Sequence, residues 1–143
     1  MVIAVIGENC TGKSTLAEKL KKDFNATVYA GKDYLRMAKS PADAKSAFKN
    51  LLSRSAVGEN VIYVISEREQ LKFLPVKSFK ILVTADLEII KERFAARMRG
   101  TLPPPVESML ERNHGMFDND ERDFHYKNDE EYGALQSKIR SFQ

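Results

Sequence analysis

The segment spanning residues 7–14, GENCTGKS, matches the pattern G-x-x-x-x-G-K-[ST]. Its two glycines allow the backbone to bend until several N–H groups converge on one anion, and a helix starting there would add its positive N-terminus. Lys13 supplies a full positive charge, and the hydroxyl of Ser14 can coordinate magnesium. The segment therefore predicts a loop that holds the β- and γ-phosphates of a nucleoside triphosphate together with Mg²⁺.

The context of this phosphate loop supports the prediction, because it lies between an apolar run at residues 1–6 and an amphipathic segment at residues 14–24. We expect Lys13 to be solvated when no nucleotide is bound. We expect Cys10 only to fill a loop position at which the backbone matters more than the side chain. The residues expected to contact the nucleotide are Gly7, Glu8, Asn9, Cys10, Thr11, Gly12, Lys13, Ser14 and Thr15.

A second group of residues that could do chemistry is the pattern R-x-x-x-R-x-R formed by Arg93, Arg97 and Arg99. Arg93 and Arg97 share one face of a predicted helix, and cations at that place can meet the charge that spreads over a phosphoryl group during transfer. The alternative is that these arginines are solvated and only complement the dipole at the end of the helix.

Asp33 and Arg36 follow the second predicted strand. At the carboxyl edge of a parallel sheet, a carboxylate and a guanidinium suit an acceptor that bears a hydroxyl and a phosphate. The alternative is that Asp33 only caps the start of a helix.

Glu67 and Arg68 follow the third predicted strand, where the carboxylate can help to hold magnesium or accept the proton of an acceptor hydroxyl. Arg68 is predicted to orient the acceptor together with Asp33 and Arg36. The alternative at this position is a plain capping box of Ser66 with Glu69.

The elements that would position these residues alternate along the chain, which predicts a parallel sheet between two layers of helices. Strands are predicted at residues 1–6, 26–30, 61–65, 79–84 and 124–126, and helices at 14–24, 41–54, 86–98 and 106–117, with a last helix capped by Asn128. The prolines within residues 102–105 are predicted to exclude helix and inner strand there and to form a stiff strut, with motion confined near Gly100.

Length and composition narrow the class of protein. The 143 residues predict a single domain spanning 1–143, with 43% hydrophobic and 30% charged residues. The net charge of +3 is spread along the chain, so we expect no nucleic-acid partner. The one cysteine allows no internal disulfide, and no run approaches ~20 apolar residues. We expect a soluble, cytoplasmic protein that binds no membrane and is a monomer or a weak homodimer.

Four segments resemble the nucleoside and nucleoside-monophosphate kinases. They are GENCTGKS at 7–14, KDYLR at 32–36, SER at 66–68, and RFAARMR at 93–99, which is similar to the arginine lid of those enzymes. The resemblance implies the three-layer α/β/α fold of P-loop nucleoside triphosphate hydrolases with a five-stranded parallel sheet, and Mg–ATP as donor. The chain departs from the family in its short length, in lacking a D-G pair after strand three, and in the three prolines beyond the lid.

The functional prediction is an ATP-dependent kinase that phosphorylates a nucleotide or nucleoside. Lys13, Glu67, Arg93, Arg97 and Arg99 are its catalytic residues, and Ser14 and Glu67 are its metal ligands. Two alternatives stay open, namely a kinase of a small metabolite, as in the shikimate and gluconate kinases, and a non-catalytic ATP-binding sensor. A regulatory GTPase is disfavoured because the chain has neither N-K-x-D nor D-x-x-G.

Overall fold

The sheet contains five parallel strands in the order β2-β3-β1-β4-β5, and the computed structural model describes all 143 residues. The strands are β1 (Val2–Ile6), β2 (Thr27–Ala30), β3 (Val61–Ile65), β4 (Ser78–Val83) and β5 (Phe124–Tyr126). The helices are α1 (Lys13–Phe24), α2 (Pro41–Ser55), α3 (Leu87–Arg97), α4 (Pro104–Asn113) and α5 (Tyr132–Phe142). The predicted three-layer α/β/α fold is confirmed.

The two faces of the central strand β1 supply the two halves of the core. Successive side chains of a strand point to opposite faces. Ile3 and Val5 accordingly pack in the cluster that contains residues of α1 and α5. Val2, Ala4 and Ile6 pack with residues of α2. Burial on both faces explains why β1 is a continuous apolar run in the sequence.

A third, smaller cluster joins helices α3 and α4 to the phosphate loop. It contains Cys10 of that loop, Ile90 of α3 and Leu110 of α4. The ammonium of Lys91 on α3 lies 3.0 Å from the carboxylate of Glu111 on α4, which adds an ion pair between the two helices. These contacts hold the arginine-bearing helix α3 next to the loop.

The prediction that residues 102–105 exclude helix is wrong at Pro104 and Pro105, which form the start of α4. Proline is tolerated in the first helical turn because the N–H groups there have no partner within the helix. α4 also ends earlier than predicted, at Asn113.

The prediction that Asn128 caps the last helix is wrong in detail. Its side chain accepts a hydrogen bond from the backbone N–H of Glu130 and caps a 3-10 turn, Asp129–Glu131, after which α5 begins at Tyr132. A cap specifies that a helical turn begins, while the packing of the following residues decides whether that turn is a 3-10 or an α-helix.

No helix in the structure is both long and apolar enough to span a membrane.

Candidate active site

The phosphate loop leaves the central strand β1 and turns into α1 through two residues with positive φ. Gly7 continues the sheet, since its N–H donates to the carbonyl of Ile65 at 3.1 Å. Cys10 has φ 63° and Gly12 has φ 100°, and α1 begins directly afterwards at Lys13. The loop lines a cleft of about 310 Å³ at the carboxyl edge of the sheet, with Gly31, Ser66 and Arg97 on its other walls. This is the cradle that an anion at a helix N-terminus requires.

Gly7 is the position of the loop where only glycine fits. A Cβ there would lie 2.5 Å from the carbonyl oxygen of Val83 and 2.9 Å from Oγ1 of Thr11. We expect Gly7→Ala to lower the free energy of unfolding by about 3 kcal/mol, because a backbone atom must move to relieve the clash. Gly133→Ala, in α5, is the matched control: its Cβ would meet nothing within 4 Å. Urea titrations should show an unchanged or more stable control, and equal stability of both variants would contradict the clash.

Lys13 is not solvated as predicted, since only 6% of it is exposed. Its ammonium donates to the carbonyl oxygen of Glu8, which also accepts a hydrogen bond from the hydroxyl of Thr11 at 3.0 Å. Burial, with a smaller contribution from the charge of Arg97, lowers the pKa of Lys13 from 10.5 to about 8. The side chain is buried because its stem lies under the loop, where its Cδ is 3.4 Å from the place of a Cβ on Gly7.

The lowered pKa of Lys13 predicts a pH dependence of ATP binding. The ammonium form attracts phosphate, so bound ATP must hold the pKa of Lys13 above its value of about 8 in the free protein. ATP affinity should then be constant below that pH and fall by up to tenfold per pH unit above it. Calorimetric titrations of the parent and of Lys13→Met across this range check the prediction. The same pH dependence in both proteins would contradict it.

Ser14 and Glu67 have the chemistry required of the predicted magnesium ligands. Ser14 is exposed and its hydroxyl makes no hydrogen bond within the protein, and the carboxylate of Glu67 is exposed and forms no ion pair. Ser66, next to Glu67, lines the same cleft as Ser14. A hydroxyl without a partner and an exposed carboxylate without an ion pair are oxygen ligands of the kind that Mg²⁺ accepts, so the residues present fit this ion. The carboxylate of Glu67 also takes part in a capping box with Gln70.

The predicted capping box of Ser66 with Glu69 does not form. Instead, Oε1 of Gln70 accepts hydrogen bonds from the backbone N–H groups of Ser66 at 3.1 Å and of Glu67 at 3.2 Å. Glu67 is the N-cap of a 3-10 turn, Arg68–Phe73. The amide of Gln70 therefore satisfies the backbone at this turn and leaves the carboxylate of Glu69 free.

Two of the three lid arginines reach the phosphate loop. Nη1 of Arg93 donates to the carbonyl of Cys10 at 3.0 Å, and Arg97 lines the phosphate-loop cleft. Arg99 follows the end of α3 with φ 64°, and its guanidinium forms no ion pair or hydrogen bond within the protein. α3 thus brings two guanidinium groups to the loop, one bonded to its backbone and one lining its cleft.

The three residues predicted to orient the acceptor do not form one group. The carboxylate of Asp33 accepts a hydrogen bond from the backbone N–H of Ala30 at 2.9 Å. This is not the predicted capping alternative, because Lys32 is the N-cap of the following 3-10 turn and no side chain bonds the backbone there. Arg36 is exposed and has no partner. Arg68 forms a bidentate pair with Asp120, with one N–O distance of 2.9 Å, and donates to the carbonyl of Met116 at 2.9 Å.

Three hydrogen bonds near the loop had no signal in the sequence. The carboxylate of Glu8 accepts from Nδ1 of His114 at 3.0 Å and from the N–H of Gly115 at 3.1 Å. Thr84, just after β4, and His125, in the middle of β5, share a hydrogen bond of 2.7 Å. All of these except Gly115 line a cleft of about 560 Å³ beside Arg93. The partners are far apart along the chain, so only the fold brings them together.

A separate cavity of about 290 Å³ lies between the 3-10 turn Asp33–Met37, helix α2 and the 3-10 turn Arg68–Phe73. We call it the lysine-lined cavity, because Lys32, Lys45, Lys49 and Lys72 are among the residues that line it. Glu67 lies in its wall, whereas Asp33, Arg36 and Arg68 do not. Lys45 and Lys49 are spaced i, i+4 on α2, which is the only sequence signal that could have indicated it.

No protein-family model and no curated protein matches the chain. Several solved structures do. The YorR protein of Bacillus subtilis, solved with phosphorylated GDP, is 22% identical with a TM-score of 0.62, over 99% of this chain and 98% of that one. Deoxyadenosine kinase from M. mycoides is 14% identical with a TM-score of 0.57, over 100% of both chains. Shikimate kinase from Aquifex aeolicus is 16% identical with a TM-score of 0.57, over 99% of this chain and 97% of that one. The chain therefore has the fold of the P-loop kinases.

Proposed function

We propose that this chain, with its P-loop kinase fold, transfers the γ-phosphoryl group of Mg–ATP to a nucleotide or nucleoside. The observation that carries the proposal is the convergence of Lys13, Arg93 and Arg97 on one loop whose backbone can only be built with glycine at position 7. Positive groups fixed around a phosphate cradle stabilise the charge that develops in phosphoryl transfer. A protein that only binds ATP has less need of cations supplied by a separate helix.

In this proposal the nucleotide phosphates lie on residues 7–15, with Lys13 on the β- and γ-phosphate oxygens. Bound Mg²⁺, held by Ser14 and Glu67, supplies neutralising charge on the phosphates. Arg97 lines the cleft, from where it can approach the γ-phosphoryl group. Arg93 fixes the loop by its hydrogen bond to Cys10. Arg99 joins them, in this proposal, when the lid closes.

In the alternative form of this proposal, Glu67 acts as the base instead of holding magnesium. The acceptor hydroxyl gives its proton to the carboxylate, its oxygen forms a bond to the γ-phosphorus, and the bond from that phosphorus to the bridging oxygen breaks to release ADP. Glu67 lies in the wall of the lysine-lined cavity, and its neighbour Ser66 lines the phosphate-loop cleft. This position between two cavities is the one that a group acting on the acceptor requires.

The second candidate is a kinase of a small non-nucleotide metabolite. The volume of the lysine-lined cavity, about 290 Å³, favours a small acceptor. In either case we propose that the protein acts as one domain and binds no nucleic acid. We also propose that it is a monomer or weak homodimer, and light scattering can check this oligomeric state.

The test is an ATP-dependent phosphorylation assay with nucleosides, nucleoside monophosphates, shikimate and gluconate as acceptors, with products identified by mass spectrometry. We expect a phosphorylated nucleotide or nucleoside. Phosphorylation of shikimate or gluconate alone would establish the second candidate. ATP binding without transfer to any acceptor would contradict both and leave a sensor.

Glu67→Gln should abolish turnover with little change in ATP affinity or stability, because the amide can neither accept the proton nor offer magnesium a full charge. If Glu67 only caps a helical turn, the substitution should cost at most ~1 kcal/mol of stability and leave the rate unchanged. Glu18→Gln is the matched control, since Glu18 is exposed on α1 and forms no ion pair. Steady-state kinetics and calorimetry on the three proteins separate these outcomes.

A further inference from the structure

The lysine-lined cavity carries an excess of positive charge that the protein does not neutralise. Its four lysines share the walls with two carboxylates, those of Glu67 and Glu69. None of these six groups takes part in an ion pair, although the protein forms such pairs elsewhere. Like charges gathered in a concave site repel each other and attract anions.

Gln70 adds a hydrogen-bond donor at the wall of the same cavity. The residue is only 4% exposed. Because its Oε1 accepts from two backbone N–H groups, those of Ser66 and Glu67, the orientation of the amide is fixed. Its Nε2 makes no hydrogen bond within the protein. An almost buried amide that keeps unused donors beside four lysines is suited to the oxygens of an anion.

The cavity also adjoins the place where transfer would occur. Gly31 and Ser66 line the phosphate-loop cleft, and the next residues along the chain, Lys32 and Glu67, line the cavity. Two pairs of consecutive residues therefore form the boundary between the two spaces. A molecule held by the lysines lies next to the phosphates on the loop, as an acceptor must.

We propose that the acceptor of this kinase carries an anionic group, a phosphate or a carboxylate, which binds in the lysine-lined cavity. The inference rests on the proposed function and refines it, because it excludes uncharged nucleosides as the preferred acceptors. An uncharged acceptor would gain no electrostatic attraction from the ammonium groups of these exposed lysines. The inference also moves acceptor recognition away from Asp33, Arg36 and Arg68, since Asp33 and Arg68 are engaged elsewhere and none of the three lines the cavity.

The test measures binding by calorimetry with the phosphate loop occupied by Mg²⁺ and a non-hydrolysable ATP analogue, so that the probes cannot bind there. The probes are AMP, dTMP, shikimate and gluconate, with adenosine, thymidine, the methyl ester of shikimate and glucose as their uncharged counterparts. We expect one or more anionic probes to bind at least tenfold more tightly than their counterparts and to weaken as salt is added. Binding by AMP or dTMP identifies a nucleotide as the source of the anion, and binding by shikimate or gluconate identifies a metabolite.

The double variant Lys45→Gln, Lys49→Gln should weaken binding of that anionic probe at least tenfold and leave binding of the ATP analogue unchanged. The control is Lys21→Gln, Lys22→Gln, which removes the same charge from exposed positions on α1. Equal losses in both double variants would overturn the inference, as would tighter binding of an uncharged probe. If either double variant fails to fold, the inference is judged from the parent protein alone, by whether its binding of the anionic probe weakens as salt is added. Failure to bind the ATP analogue would instead contradict the proposed function itself.

Discussion

Lys13→Met is expected to reduce phosphoryl transfer by about 10²–10³-fold and to remove the stabilisation of the protein by ATP. The substitution keeps an unbranched side chain of similar length under the loop and deletes the ammonium. No other lysine lines the phosphate-loop cleft, and its only other cationic side chain is that of Arg97. Loss of Lys13 therefore removes the charge placed deepest in the cradle.

The variant should not lose stability without ATP, because a buried ammonium is costly to desolvate and methionine is not. Thermal unfolding with and without Mg–ATP measures both effects. Lys22→Met, at an exposed position of α1, is the control that should behave like the parent. A shift of the melting temperature by ATP that is the same in Lys13→Met and in the parent would refute the assignment of the phosphate loop.

Arg97→Ala should lower kcat by about 10³-fold or more while ATP affinity changes little. In the ground state, ATP has the loop amides, Lys13 and magnesium, so a further cation contributes most when charge spreads over the transferring phosphoryl group. Arg97 is exposed, lines the cleft and forms no ion pair or hydrogen bond within the protein, so its removal should not affect folding.

The control for Arg97 is Arg112→Ala, which removes an exposed guanidinium that also has no partner, from α4. Steady-state kinetics on the best acceptor and calorimetric ATP affinities should be measured for parent, variant and control. Equal proportional losses of rate and affinity in Arg97→Ala would reject a role confined to the transition state. No change in either quantity would show that Arg97 is merely solvated.

The sequence alone was sufficient to predict the order of strands and helices, the parallel sheet and the phosphate loop. Local sequence patterns indicate these features. A strand buried on both faces is a continuous apolar run, as at Val2–Ile6, and an anion cradle needs glycines at fixed spacing before a helix. Where local patterns were over-interpreted, at Pro104 and Asn128, the error concerned only where and how a helix starts.

The tertiary structure decided which charged groups meet. Arg68 is paired with Asp120, 52 residues away, and Glu8 with His114, 106 residues away, and no periodicity predicts either contact. Burial of Lys13 likewise depends on how the loop closes over its stem. Such contacts are set by the order of strands in the sheet and by the segments that this order brings to one edge.

The lysine-lined cavity is likewise a feature that the tertiary structure decides and the sequence does not predict. In the sequence its lysines are unremarkable surface residues spread over three segments, and only Lys45 and Lys49 share a recognisable spacing. Because β2 and β3 are neighbours, the turns that follow them face each other across α2, and their charges add. The sequence thus determined that the chain has an α/β scaffold with a glycine-containing loop between its first strand and first helix. Packing determined which charges surround the space beside it, because electrostatic fields depend on distance in space and not on separation along the chain.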